Sequence, residues 1–294
     1  MLRWAVTRRP KAWPRWVEHQ VRYQRRTPAA DQLLVTFVNH ATFLVQWRGL
    51  TVLTDPVWSP RASPVQWSGP ARVHAPGIPF DQLPGADVIL LSHNHYDHMD
   101  LATLRRLQRG VGSRIVTTLG NKRYLEARGL ADVLELGWWE EVNVNVSDGP
   151  SLQVTATPAQ HFSARTPFDR NRTLWAGFVV QFDRRRAFFT GDSGYATHFS
   201  TIGERFGPFD LAFVPIGAYE PRWFMSAAHM NPGEAVRAHL DLRSRLSVAM
   251  HFGCFQLTDE GIDDPVRDLA AARASHGVAE LAFRVLAPGE TLVL

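Results

Sequence analysis

The chain has one cysteine, Cys254, in 294 residues, so an internal disulfide is excluded and a reducing compartment is implied. No apolar run approaches the ~18 residues that a membrane-spanning helix needs. The opening Met-Leu-Arg-Trp-Ala-Val-Thr-Arg-Arg-Pro lacks the apolar stretch of a secretory signal, and a cytoplasmic location is expected. No fixed-period repeat, low-complexity tract or Pro/Gly/Ser linker interrupts the chain. At 45% hydrophobic, it has enough apolar residues for one large core.

Net positive charge is also missing from most of the chain. Residues 1–30 hold eight bases and one acid, a formal +7, against +4 for the whole, so residues 31–294 are net −3. Such a body lacks the basic track of a nucleic-acid binder, and no nucleic-acid partner is expected. The leading segment, residues 1–30, also contains Trp4, Trp13 and Trp16. Arginine with tryptophan suits the headgroup level of an anionic membrane, and peripheral docking through residues 1–30 is expected. A single domain is expected over 31–294, and a homodimer is compatible with the sequence.

Beyond residue 30 the pattern turns to strands. Leu33–Val38, Thr42–Trp47 and Leu50–Thr54 are β-branched and aromatic runs at hairpin spacing. Residues 56–80 carry six prolines with Trp58 and Trp67, which predicts a long ordered loop near a site mouth. Leu101–Arg109, Lys122–Arg128 and Pro232–Leu242 read as helices. Arg184-Arg185-Arg186 after Asp183 reads as an exposed hairpin turn.

The densest chemistry lies at 92–100, Ser-His-Asn-His-Tyr-Asp-His-Met-Asp, directly after the apolar run 86–91. In an extended segment His93, His95 and Asp97 share one face, and a turn brings His98 round to join them. Three further β-like runs end in a ligand-type residue: His161 after 152–160, Asp192 after 186–191, and His251 after 246–250. Ligands at the ends of adjacent strands converge although they are distant in sequence. His93, His95 and His161 would hold one ion and Asp97, His98 and His251 a second, with Asp192 bridging. The nitrogen and oxygen donors favour two zinc ions per chain, although another divalent metal suits the same set.

This order of ligands resembles the metallo-β-lactamase fold hydrolases. Asn39-His40-Ala41-Thr42, Leu53-Thr54-Asp55-Pro56, Tyr96 within the metal loop, Gly191-Asp192-Ser193-Gly194-Tyr195 and Pro215 to Met225 resemble the branch containing N-acylphosphatidylethanolamine-hydrolysing phospholipase D. The resemblance covers about residues 34–257 and implies an αββα four-layer sandwich. It further implies a phosphodiesterase that releases phosphatidic acid and an N-acylethanolamine, with Asp97 and Asp192 beside the attacking water. By the same resemblance Tyr96 and His229 contact substrate, His229 being a candidate proton donor, while His40 and Asp55 support the site. Residues 258–294 match no motif.

The same metal set serves other chemistries of this fold. Activated water attacks carbonyl carbon and phosphorus alike, so a lactone, a β-lactam or a nucleic-acid phosphodiester is an alternative substrate. A non-catalytic metal-binding protein would be signalled by a missing ligand, and none is missing. Tyr195 and Tyr219 follow glycine-containing turns and are candidate phosphate donors or packing residues. Cys254 is expected to fill the core rather than bind metal.

Overall fold

The computed structural model describes residues 7–20, 22–146 and 150–294; Arg3 and Trp4 of the basic segment lie outside the described residues. Two seven-stranded sheets face each other. The first has the order β14-β1-β2-β3-β4-β5-β6. It is formed by β1 (Leu33–Asn39), β2 (Thr42–Trp47), β3 (Leu50–Thr54), β4 (Val88–Leu90), β5 (Arg114–Thr118), β6 (Val133–Leu136) and β14 (Thr291–Val293). The second has the order β13-β12-β11-β10-β9-β8-β7. Its strands are β7 (Glu141–Val144), β8 (Leu152–Thr157), β9 (Gly177–Phe182), β10 (Arg185–Phe189), β11 (Leu211–Pro215), β12 (Ser247–Met250) and β13 (Phe283–Arg284).

Apolar faces of both sheets meet in one layer. Val35, Phe37 and Phe43 from the first pack with Phe178, Phe189 and Phe213 from the second. Outside the first sheet lie α1 (Leu101–Val111) and α2 (Asn121–Glu126), which bury Leu104, Leu107 and Leu125. Outside the second lie α3 (His198–Phe206), α5 (Pro232–Asp241) and α6 (Asp264–His276), which contribute Phe199, Val236 and Leu269. One turn, α4 (Arg222–Met225), precedes α5. The expected αββα sandwich is therefore present.

Capping explains where the helices start. Asp100 accepts the backbone N–H groups of Ala102 and Thr103, which fixes α1 directly after the histidine cluster. Asn231 and Glu234 form a reciprocal capping box on α5, with Pro232 in its first turn. One expectation needs correction: Arg185 and Arg186 belong to β10, paired with Phe182 and Gln181, and the turn is only Asp183-Arg184. Asp183, at φ 55°, takes the left-handed position, so two residues suffice to reverse the chain. Residues 56–80 form the expected irregular loop, pinned by Trp58 Nε1–H donating to the Ile78 carbonyl at 2.9 Å.

The described residues between 7 and 30 contain no strand and run across the body as a strap. Val17 N–H donates to Val73 O at 2.6 Å, and Trp13 Nε1–H donates to Glu260 O at 2.9 Å. Lys11 meets Asp264 at 2.6 Å, Arg8 meets Asp259 at 3.3 Å and Arg22 meets Glu290 at 3.9 Å. Tyr23 is buried with Leu91 and Met99.

Candidate metal centre

Strand direction gathers the polar residues at one end of the sandwich. β8 and β10 are both antiparallel to β9, and β10, β11 and β12 are parallel, so β8, β10 and β12 point the same way. His161, Asp192 and His251 each follow the carboxyl end of one of these strands. β4 brings the loop 93–98 to the same end from the other sheet, in keeping with the tendency of such sheets to bind ligands beyond their carboxyl ends. Close backbone approach is required here. A Cβ on Gly217 would lie 2.1 Å from His251 O, and one on Gly191 (φ 62°) would lie 2.8 Å from Ser92 Cβ.

All seven expected ligands come together, in two groups. His93, His95, His161 and Asp192 form one, and Asp97, His98 and His251 form the other together with His40. In the first, His95 Nδ1 lies 2.8 Å from His93 Nε2 and 3.2 Å from His161 Nε2. Asp192 Oδ2 stands between the groups, 3.1 Å from both His98 Nε2 and His251 Nε2 and 3.7 Å from His161 Nε2. Asp97 Oδ2 is 3.3 Å from His251 Nε2 and 3.4 Å from His98 Nε2. The expected turn exists: Met99 N–H donates to His95 O at 2.7 Å and swings His98 round.

The far nitrogens of three of these rings are held, whereas His251 Nδ1 is buried without a hydrogen-bond partner. His98 Nδ1–H donates to Asp55 Oδ2 at 2.6 Å, and His161 Nδ1–H donates to Ala228 O at 2.9 Å. Ser92 gives Asp55 both its N–H (2.7 Å) and its hydroxyl (2.5 Å), and that hydroxyl lies 2.9 Å from His93 Nδ1. Asp55 thus orients two rings, and His40 Nε2–H steadies Asp97 at 3.0 Å. Such outer partners fix the tautomer and leave the other nitrogen's lone pair for a metal.

Charge makes the same case for cations. Asp55, Asp97 and Asp192 are all buried. Burial opposes ionisation of Asp97 and Asp192, but His98 beside the first and His251 beside the second outweigh it, and both carboxyls fall well below their usual range. Burial likewise opposes charge on His98 and His251. Asp192 and Asp97 outweigh it, holding His98 well above its ordinary value and pushing His251 up to about 9. His93, buried and facing His98, is driven well below its ordinary value, and His95 falls to about 3 by burial and the nearby His161. Buried carboxylates that draw protons onto imidazoles call for cations in their place. His98 Nε2 and Asp192 Oδ1, buried without hydrogen-bond partners, are donors of the right kind. The residues therefore fit a metal centre.

A cavity of about 490 Å³ opens over these residues. His95, His161 and Asp192 form its floor, Phe162, Phe224, Met225 and Leu257 supply apolar walls, and Arg170 adds a cation. His229 also lines it, buried with Nδ1 unpartnered and 4.0 Å from Asp192. Tyr96 takes a different place: its hydroxyl donates to Arg165 O at 3.1 Å and its ring lies 3.9 Å beneath that guanidinium. Tyr195 and Tyr219 donate to Asp241 and Asp268, each at 2.6 Å, and are packing residues. Cys254 is fully buried, 3.8 Å from Asn39 Oδ1. Sequence reasoning missed Phe162, Arg170 and Leu257. Only the position of Phe162 beside His161 hinted at a wall.

Comparison with known proteins agrees with this geometry. The model of the beta-lactamase superfamily domain matches residues 51–252. The N-acyl-phosphatidylethanolamine-hydrolyzing phospholipase D 1 of Caenorhabditis elegans is 41% identical over 233 residues, covering 76% of this chain and 65% of its own length. The mitochondrial enzyme of that name from Saccharomyces cerevisiae is 34% identical over 237 residues, 80% of this chain and 50% of its own. The chain thus spans between half and two thirds of these relatives. A solved metallo hydrolase from Ignicoccus hospitalis shares the fold at a TM-score of 0.66 and 21% identity, covering 90% of this chain and 98% of that one. Strand order, ligand placement and the match over 51–252 lead to one assignment: the chain belongs to the beta-lactamase superfamily, with the metallo-β-lactamase fold.

Proposed function

We propose that the protein is a metal-dependent hydrolase of the phospholipase D type, holding two zinc ions and cleaving N-acylphosphatidylethanolamine-like phospholipids. The observation that carries this reading is the cavity itself, in which apolar walls and a single arginine stand over two groups of metal-type ligands. The resemblance to two phospholipases D supports it.

His93, His95 and His161 would hold one ion, and Asp97, His98 and His251 the other, with Asp192 shared. When bound, the ions supply Lewis acidity, lowering the pKa of a water nucleophile toward ~7 and neutralising phosphoryl oxygens. The chain's own residues do the rest. Asp97 and Asp192, ionised and fixed by imidazoles, orient the nucleophile toward phosphorus. Arg170 faces the phosphate charge, while Phe162, Phe224, Met225 and Leu257 take acyl chain and exclude water. His229, with Nδ1 unpartnered on the wall, offers the leaving oxygen a hydrogen-bond donor. The water oxygen bonds to phosphorus and gives up a proton, the bond from phosphorus to the leaving hydroxyl oxygen of the N-acylethanolamine breaks, and that oxygen takes up a proton from solvent, so protons balance. Tyr96 acts at one remove, by bracing the loop that carries Arg170.

Turnover of N-acylphosphatidylethanolamine in heavy-oxygen water tests this. The label is expected in phosphatidic acid and absent from the N-acylethanolamine. Label in a released carboxylate would overturn the reading, because an acyl bond would then have been cut.

A further inference from the structure

Among the described residues the three most exposed aromatic side chains are Phe168 (86%), Trp67 (82%) and Trp223 (54%). They lie on three separate segments: those of Phe168 and Trp223 supply residues that line the cavity over the metal ligands, and that of Trp67 packs against one of its wall residues. Phe168 sits in the loop 162–173, whose Phe162 and Arg170 line the cavity. Trp223 belongs to α4, whose Phe224 and Met225 line it, while Trp223 itself lines a second pocket with Lys11 and Asp264. Trp67 lies in the loop 56–80, which packs Val57 and Ala62 against Phe255 and the wall residue Leu257. Singly exposed apolar residues are ordinary, but several grouped round one opening mark an interaction surface.

The Phe168 loop is built to hold its tip outward. Asp169 Oδ1 accepts the N–H groups of Arg165 at 2.9 Å and Thr166 at 2.8 Å, and Asn171 N–H closes the base on Ser163 O at 2.8 Å. Arg165 is itself tied down, donating to Asn94 O at 2.7 Å and Met99 O at 3.0 Å. A braced backbone that presents phenylalanine to water forfeits the gain of burying it, and a partner surface restores that gain. Charge identifies the partner. Arg170 and Arg172 are exposed beside the tip, and neither forms an ion pair among the described residues. In the strap, by contrast, Arg8, Lys11 and Arg22 already face acids of the body.

We propose that this aromatic rim, with Arg170 and Arg172, is the surface by which the protein docks on an anionic phospholipid bilayer, with the cavity mouth turned to the lipid. Tryptophan and phenylalanine rings settle at headgroup level, and arginine meets the lipid phosphates. The docking site is thereby the mouth of the cavity. The strap's Arg15, Arg25 and Arg26, without ion pairs among the described residues, add only long-range attraction. This rests on the phospholipid reading above, since it explains how a substrate anchored in a bilayer reaches the ligands.

The test uses the full chain and vesicles of mixed phosphatidylglycerol and phosphatidylcholine. Phe168→Asp should lower vesicle affinity about tenfold, the scale of one buried aromatic. Leu281→Asp is the control: Leu281 is 78% exposed, but it precedes β13, whereas His251 follows the parallel β12, so it lies at the opposite end. Its binding should be unchanged. Phe168→Cys labelled with a polarity-sensitive dye should blue-shift on vesicles, Cys254 being buried and unlabelled. Undiminished binding by Phe168→Asp, an equal fall in Leu281→Asp, or an unshifted dye would each overturn the proposal. Loss of binding on deleting residues 1–30, with Phe168→Asp unaffected, would move docking to the strap. Vesicle binding needs no turnover, so a rim that binds in a protein that cleaves no phospholipid would overturn the substrate reading and leave the docking face standing.

Discussion

Asp192 sits among imidazoles, 3.1 Å from two ring nitrogens and shut off from water, while Lys11 meets Asp264 at 2.6 Å on the protein surface with most of its side chain in solvent. Both are ionic contacts, and they differ in what the surroundings demand. A buried charge that loses its partner costs several kcal/mol, because nothing else solvates it. An exposed pair contributes about 0.2–1 kcal/mol, because water replaces either partner. The metal pocket is therefore specified residue by residue. The strap is held by the sum of many replaceable contacts.

The largest effects should come from the pocket. Asp192→Ala removes the carboxylate that stands between the two ligand groups, so both ions should be lost and activity should fall by about three orders of magnitude or more. Metal analysis beside turnover measures this. Retention of two ions would break the shared-ligand arrangement. Asp55→Asn should be milder, about 10–100-fold in metal affinity, since Asp55 orients His98 and Ser92 without being counted among the seven ligands. A fall as deep as that of Asp192→Ala would show Asp55 to be a ligand.

The difference between the regions also governs what the sequence reveals. The seven candidate ligands lie close beyond the ends of four apolar runs, and burying those runs carries the polar residues to one place, so their convergence was legible. So were β1, β2 and β3, with their β-branched runs. The C-terminal region was not: β14 is three residues long and pairs with β1 across nearly the whole chain, a contact with no local signature. Tyr195 and Tyr219 read ambiguously because their acids, Asp241 and Asp268, lie 46 and 49 residues away. Arg170 looked like any loop arginine. The strap's arginines showed their charge but not their partners, which are acids beyond residue 258.

Intermediate effects belong to the strap. Deleting residues 1–30 removes the Lys11, Arg8 and Arg22 pairs, the Trp13 bond and the buried Tyr23 together, and should lower Tm by several degrees. Lys11→Ala alone should cost no more than about 1 kcal/mol, read from the denaturant midpoint. The pH dependence has a defined sign. The Lys11 ammonium, chiefly, holds Asp264 down to about 2, below the ~3.9 of an unfolded aspartate. A depressed carboxyl stabilises above its unfolded value and loses that contribution as pH falls through its folded one. The gap between wild type and Lys11→Ala should be steady above about pH 4 and close toward pH 2. A gap that widens with acid would show that Lys11 acts through some other group.

The smallest effect joins the two regions at Cys254. Val17 of the strap donates to Val73 O, and Val73 N–H donates to Cys254 O at 2.9 Å, three residues beyond His251. The thiol is fully buried, and burial pushes it from an ordinary 9.0 up to about 11. At neutral pH that shift alone cuts the thiolate fraction about a hundredfold, and only thiolate reacts. Native protein should therefore resist a thiol reagent until it unfolds locally. If the strap steadies the segment running from Val73 to Cys254, removing residues 1–30 should make opening easier by about 1.4 kcal/mol and speed labelling about tenfold. Lys11→Ala should leave the rate nearly unchanged, because Val17 keeps its bond. Equal rates in the deletion and the wild type would mean that the strap rests on the body without bracing the loop behind His251, and the two regions would then be energetically independent.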